Sequence, residues 1–366
     1  MHAKKLVCFK CGKEFSTGER IFWCSKCGYS LNVEYNYKEI KYLVEQEEFL
    51  RAPVKHWKYW MFYPVLDLTK VVSMHEGGTA IIKSRKRKDY WFKFEGVNPT
   101  GSFKDRGSTI EITKAIERQE KEVLCASTGN MGASIAAYSA RAGIKASIYV
   151  PEFTSSEKIR QIQAYGATSV KKVKGTYEHA LELTKKIHKK EGTYLTGDYY
   201  YRAEGQKSIG FEIIDQLNWQ SPENIVCPVG NGTLLFAVFK ACNELKKVGL
   251  LDKIPKIFGV QASGCNPIKS GKILPVKKPK TLASAIDCGN PVYGLEVLEA
   301  LKETKGRMIA VSDKEMAQSM KELGSEGIFS ELSGAASLAG AKKLGLAGKT
   351  ACIVSGHGLK ESRKYY

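Results

Sequence analysis

From residue 90 to the end of the chain, short apolar runs alternate with segments of helical period. Strands are predicted at 123–126, 146–150, 169–173, 193–195, 225–229, 257–261 and 351–354. Helices are predicted at 131–141, 158–165, 177–189, 205–218 and 234–247. Strand and helix in strict turn predict an α/β class, with parallel sheets covered by helices on both faces. At 366 residues the chain is long enough for two or three folding units and a sizeable core. No repeat of 20 to 50 residues and no long low-complexity stretch is present. Disorder is expected only at the termini and at 271–281.

The first 35 residues have a different character. Cys8 and Cys11 are followed, after twelve intervening residues, by Cys24 and Cys27, and Gly12 and Gly28 come next after each pair. Two residues between cysteines let one tight turn aim both thiolates at a single ion. A glycine just after can take the positive φ such a turn often needs. Four thiolates and no open position suit a structural, tetrahedral zinc, with iron on the same sulfurs as the alternative. Residues 1–35 are therefore expected to form a zinc ribbon. The other six cysteines are scattered, unlike a secreted disulfide framework. A stretch to about residue 75, with Trp57, Tyr59, Trp60, Phe62 and Tyr63, connects this module to the alternating region.

No run of about 18 apolar residues exists, so no transmembrane helix and no membrane partner is expected. The amino terminus lacks the apolar stretch of a signal peptide, which makes the cytoplasm the default location. The formal net charge is +19. Because the lysines and arginines are spread along the chain, they read as solvated faces or attraction for an anionic substrate rather than a nucleic-acid site.

Three loops carry chemistry. Asn98-Pro99-Thr100-Gly101-Ser102-Phe103-Lys104-Asp105-Arg106-Gly107 follows an apolar stretch and opens a helical pattern. Its small residues allow a flat ligand to approach the backbone, and a deprotonated lysine forms a Schiff base with an aldehyde. Taken alone, Lys104 is one of many surface lysines. Ser127-Thr128-Gly129-Asn130 lies at a strand's carboxyl end, where α/β sheets bind ligands. Gly230-Asn231-Gly232-Thr233 opens a helix, so its N–H groups and the positive end of the dipole suit a phosphate. Either of these could be an ordinary turn if it stood alone.

Together, and in this order, these segments make residues 75–360 resemble the pyridoxal-phosphate enzymes of the tryptophan-synthase-β type, and within them the threonine synthase family. The ten residues from Asn98 to Gly107 match the family's lysine segment throughout, and the cysteine module looks like the ribbon of some members. The resemblance implies fold type II: two α/β lobes with the cofactor in the cleft between them. The large cofactor-binding domain is expected at 36–107 and 201–366, and a smaller inserted domain at 108–200. It implies Lys104 as the Schiff-base lysine that also moves protons, and Asn130 beside the cofactor's ring oxygen. Gly230, Asn231, Gly232 and Thr233 would cradle the cofactor phosphate, with Ser355 at the pyridine nitrogen. Ser127, Thr128 and Gly129 would face the substrate carboxylate. Arg202 and Lys207, in Arg202-Ala203-Glu204-Gly205-Gln206-Lys207, would face the phosphate of a phosphorylated amino acid. A homodimer is also implied.

The activity implied is a lyase that turns O-phosphohomoserine and water into threonine and phosphate. The alternatives are a related β-replacement or elimination, such as cysteate synthesis from phosphoserine and sulfite or dehydration of threonine or serine. A non-catalytic zinc-ribbon binding protein is the reading from another class. Several positions depart from the family pattern. Met131 stands where threonine is common, Thr196-Gly197-Asp198 where an asparagine–serine pair is common, and Ser355 where threonine is common. Glu331, in 329–337, is expected to wall the pocket. His357 is read as a loop residue rather than a base.

Overall fold

In the computed structural model, which describes residues 2–361, the chain forms two compact units. One comprises Met1–Glu76 and Lys104–Gln206, and the other Gly77–Phe103 and Lys207–Tyr366.

The first unit opens with an antiparallel sheet in the order Glu14–Phe15, Ala3–Cys8, Leu31–Tyr35. In its last strand Leu31, Val33 and Tyr35 point inward while Asn32 and Glu34 are more exposed, the two-residue period of a strand with one covered face. Helices Tyr37–Val44 and Glu47–Arg51 follow, then the 3₁₀ turns of His56–Phe62. The unit's second sheet is parallel, in the order Ser169–Val173, Lys145–Pro151, Glu122–Ala126, Tyr194–Thr196. Its helices are Lys104–Glu117, Asn130–Ala142, Ser156–Ala164, Tyr177–Glu191 and Tyr200–Gln206. The Asn130 helix is rich in alanine, the best helix former, and stops at Gly143 in the left-handed conformation.

The second unit is built on a six-stranded sheet in the order Met308–Val311, Lys256–Ala262, Asn224–Pro228, Thr350–Val354, Tyr90–Phe94, Ile81–Lys83. Every neighbouring pair is parallel except the antiparallel edge strand Ile81–Lys83. Helix Leu332–Leu344 lies on this sheet, with Ala335, Ala336, Leu338 and Ala339 in one core with Phe92, Val226, Val260 and Val354. Gly340 makes that fit possible, because a Cβ there would meet a Val260 methyl at 2.3 Å. Burying each large aliphatic or aromatic side chain in such a core contributes about 1.5–3 kcal/mol.

The alternating α/β architecture is as expected from sequence, and two local expectations change. The single helix expected at 205–218 is two, Tyr200–Gln206 and Ser208–Gln216, with Lys207 between them. The segment 271–281 is ordered and tied by backbone bonds, Leu274 N–H to Pro267 O at 2.6 Å and Val276 N–H to Gly289 O at 2.9 Å. Helices Gly294–Thr304 and Asp313–Gly324 and strand Met308–Val311 add elements that the apolar pattern did not reveal.

Candidate active site

In the second unit, strands Asn224–Pro228, Thr350–Val354 and Tyr90–Phe94 are adjacent and parallel, so the loops after them leave the sheet at the same end. Those loops are Gly230–Thr233, Ser355–Lys360 and the segment leading to Lys104. Open α/β sheets bind ligands at the carboxyl ends of their strands. Gly232 caps helix Thr233–Lys247 with φ +89°, a conformation that disfavours any side chain, and a Cβ there would lie 2.7 Å from Val297. The Asn231 carbonyl accepts from Tyr293 N–H at 2.9 Å, and its side-chain oxygen accepts from the Cys288 thiol at 2.9 Å. The glycine loop is thus held from behind, leaving a helix N-terminus whose N–H groups and dipole favour a phosphate.

The lysine segment is sewn to the end of strand Thr350–Val354. Phe103 N–H donates to Ser355 O at 3.1 Å, His357 N–H donates to Gly101 O at 2.9 Å, and Lys360 Nζ donates to Thr100 O at 2.7 Å. The residue before Lys104 is therefore bonded directly to the buried Ser355. Ser102 Oγ is fully buried and has no hydrogen-bond partner among the described residues. A buried hydroxyl is rarely left so, and it fits a polar ligand atom. Glu331 lies against the same strand end: its N–H donates to Gly356 O at 3.0 Å, and a Cβ on Gly356 would meet its carboxylate at 2.5 Å. His357 Nδ1 accepts from Leu359 N–H at 3.2 Å, a capping bond that marks it as a loop residue.

In the first unit, Lys104 is the first residue of helix Lys104–Glu117. Asp105 and Ser108 are tied to the Asn130 helix through Ser134, whose hydroxyl bonds Asp105 Oδ1 at 2.6 Å and Ser108 Oγ at 2.7 Å. The Ser127 hydroxyl accepts from Gly129 N–H at 2.9 Å and Gly132 N–H at 2.7 Å, which curls the loop that delivers Asn130. Gly129 has φ +134°, and a Cβ there would strike the buried stem of Lys158 at 2.3 Å. The glycines of the two longest motifs serve packing. A Cβ on Gly205 would lie 2.0 Å from Arg106 O, and one on Gly107 would lie 2.8 Å from Arg202 Cγ. Only glycine lets helices Lys104–Glu117 and Tyr200–Gln206 approach so closely.

Arg202 is fully buried. Its Nε donates to Gly197 O at 3.2 Å, Nη1 to Lys104 O at 3.1 Å and Nη2 to Ser108 Oγ at 3.2 Å, and Nη2 also pairs with the Glu111 carboxylate. The other Glu111 oxygen accepts from Gly197 N–H at 2.7 Å. Burial pushes the Glu111 carboxyl up to about 7; the Arg202 charge and the Gly197 N–H oppose that rise, and Asp198 adds to it. Lys207, expected to join Arg202 on a substrate phosphate, is instead engaged inside the second unit. Its ammonium pairs with Glu244 at 2.8 Å, and both side chains are buried. A buried ammonium is favoured beside a carboxylate that neutralises it, and that is where Lys207 sits.

The four cysteines of the amino-terminal module converge. Their sulfurs lie within 4.8 Å of one another, with Cys8–Cys27 at 3.4 Å, Cys11–Cys24 at 3.6 Å and Cys11–Cys27 at 3.7 Å. Gly12 and Gly28 take φ of +70° and +69°, and each donates to the carbonyl of the first cysteine of its pair.

A sequence profile of the family described as pyridoxal-phosphate dependent enzymes matches residues 72–356. The chain belongs to this family. It is 42% identical over 375 residues to the threonine synthase of Methanocaldococcus jannaschii, covering 97% of this chain and 92% of that one. It is 41% identical over 377 residues to the threonine synthase of Methanosarcina acetivorans, with the same coverages. Among solved structures, maize serine racemase superposes with a TM-score of 0.67 at 22% identity, over 76% of this chain and 88% of that one, which shows a shared fold.

The enzyme's cofactor fits the residues present: a phosphate-ready helix start, a buried hydroxyl lacking a partner, and a lysine joined through one residue to a third strand end. Sequence reasoning missed Glu111 and Lys158. Glu111 had a signal, because Lys104, Ser108 and Glu111 are spaced to share one helix face. Lys158 sits in an ordinary amphipathic helix and had none.

Proposed function

We propose that this enzyme is a threonine synthase, converting O-phosphohomoserine and water to threonine and phosphate. The observation that carries the reading is the bond from Phe103 N–H to Ser355 O, which ties the lysine segment to the strand end beside the glycine loop. Relatives named threonine synthase that share nearly the full length supply the reaction. Bound pyridoxal phosphate would supply a sink for negative charge on the substrate carbons.

The chain's own residues would do the rest. Gly230, Asn231, Gly232 and Thr233 would hold the cofactor phosphate with N–H groups, Asn130 would orient the ring, and Ser355 would present a neutral hydroxyl to its nitrogen. Lys104 would carry the cofactor covalently and move protons at Cα and Cβ of the substrate. Ser127, Thr128 and Gly129 would bind the substrate carboxylate. Arg202 would take its phosphate, which leaves from Cγ before water adds at Cβ. Cys8, Cys11, Cys24 and Cys27 would hold a structural zinc, forming a ribbon over residues 1–35. Four sulfurs about 2.3 Å from a tetrahedral ion lie roughly 3.8 Å apart, close to the separations seen. We also propose a homodimer, which light scattering would test.

The test is phosphate release from O-phosphohomoserine by the holoenzyme, compared with release from O-phosphoserine. Turnover of the longer substrate, and a colourless, inactive Lys104→Ala variant, are expected. No turnover of O-phosphohomoserine would sink the reading. A related β-replacement or elimination on another substrate is the second reading, and one observation favours it: Arg202 is already paired with Glu111.

A further inference from the structure

Arg202 cannot hold Glu111 and take a phosphate with two N–H groups at once. A guanidinium has five N–H groups. Here four of them serve Gly197 O, Lys104 O, Ser108 Oγ and the Glu111 carboxylate, which leaves one, and a bidentate phosphate contact takes two. Arg202 and Glu111 are both sealed from solvent, at 0% exposure. A phosphate dianion arriving there would share one cation with a carboxylate, leaving two net negative charges in a buried volume. Buried charge without a partner is removed by protonation where a proton can be taken up.

We propose that Glu111 is a proton-linked gate on Arg202: binding of the substrate's phosphate displaces the Glu111 carboxylate from the guanidinium and draws one proton from solvent onto it. This rests on the reading that Arg202 takes the substrate phosphate. The guanidinium keeps its proton, no substrate bond changes in the step, and the proton returns to solvent when phosphate departs. Among the described groups that bear on Glu111, the anion besides Glu111 itself is Asp198, which accepts from Tyr177 OH at 2.7 Å. Cys125 on its strand, and Tyr194 and Tyr199 beside the turn, are raised by burial and stay neutral. Glu111, raised by burial to about 7, is left as the carboxyl poised to take the proton.

The gate is read by counting protons. The holoenzyme is titrated at pH 8 with sulfate, a dianion with no proton of its own to exchange near neutrality, in two buffers of different ionisation enthalpy. Wild type should take up about one proton per sulfate bound, and KM for O-phosphohomoserine should rise about tenfold per pH unit above pH 8 while kcat changes less. Glu111→Gln should bind sulfate with no uptake and give a flat KM. The wild-type count stands even if that variant does not fold. Sulfate binding that depends on Arg202 but draws no proton in wild type overturns the gate and leaves the reading of Arg202 intact. Unchanged sulfate affinity in Arg202→Gln overturns that reading, and the gate with it.

Discussion

At the scale of single residues, the site is a set of buried polar groups whose charges are balanced locally, and Glu111 is the least comfortable of them. Its carboxyl titrates at about 7 in the folded protein against 4.5 as an isolated side chain. The folded state therefore keeps a proton that the unfolded chain has already released. The Glu111 contribution to stability is greatest below about pH 4.5, is lost as pH rises toward 7, and is flat above. The full effect is at most about 3 kcal/mol for this shift. Denaturant unfolding of wild type and Glu111→Gln from pH 5 to 8 checks the sign. The wild type should lose stability relative to the variant across that window, and parallel profiles would contradict it. The residues that sequence left unread share a cause. Glu111 meets Arg202 and Gly197, and Lys158 meets Gly129, each brought from elsewhere in the chain, and spacing along one segment does not report such neighbours.

At the scale of elements, legibility followed burial pattern. Strands such as Asn224–Pro228 and Thr350–Val354 are buried along their whole length and stand out as apolar runs. Helix Leu332–Leu344 is buried through its first ten residues, so it has no polar face and no helical stripe to read. The cysteine module was legible from its spacing, but its docking was not. Phe22 places its ring 4.8 Å from His188, 5.2 Å from Tyr194 and 5.1 Å from Tyr199. Tyr200 OH donates to Ile21 O at 2.8 Å, and Tyr35 OH donates to Glu204 at 2.6 Å. The module thus grips the helix Tyr200–Gln206, which carries Arg202, from both sides of that arginine. Chelating the proposed zinc, or replacing Cys8 and Cys11 by serine, should loosen this grip. Hydrogen exchange should speed up in 199–206 as well as in 3–35, while the second unit keeps its protection. Unchanged exchange in 199–206 would show that the helix stands without the module.

At the scale of the whole molecule, the chain carries 57 lysines and arginines against 38 acids, and no local motif accounts for the excess. Among the buried cations, Lys93, Lys114, Arg202 and Lys207 are each paired with a carboxylate, so these four add little to the outward field. What remains is a positive potential over the surface, and the proposed substrate carries a phosphate dianion. Such a field raises the encounter rate and local concentration of an anion, and salt screens it. The Debye length shrinks from about 30 Å at 0.01 M to about 8 Å at 0.15 M ionic strength. KM for O-phosphohomoserine should therefore rise several-fold over that range while kcat stays nearly constant, because the chemistry lies in a buried, locally neutral network. Competition by the salt anion at Arg202 would raise KM too, but it would depend on which anion is present. Chloride and acetate salts compared at equal ionic strength separate the two, sulfate being left out because it is expected to occupy Arg202. Equal KM values in both salts assign the effect to the charge of the whole molecule, and a KM that follows the anion assigns it to one arginine.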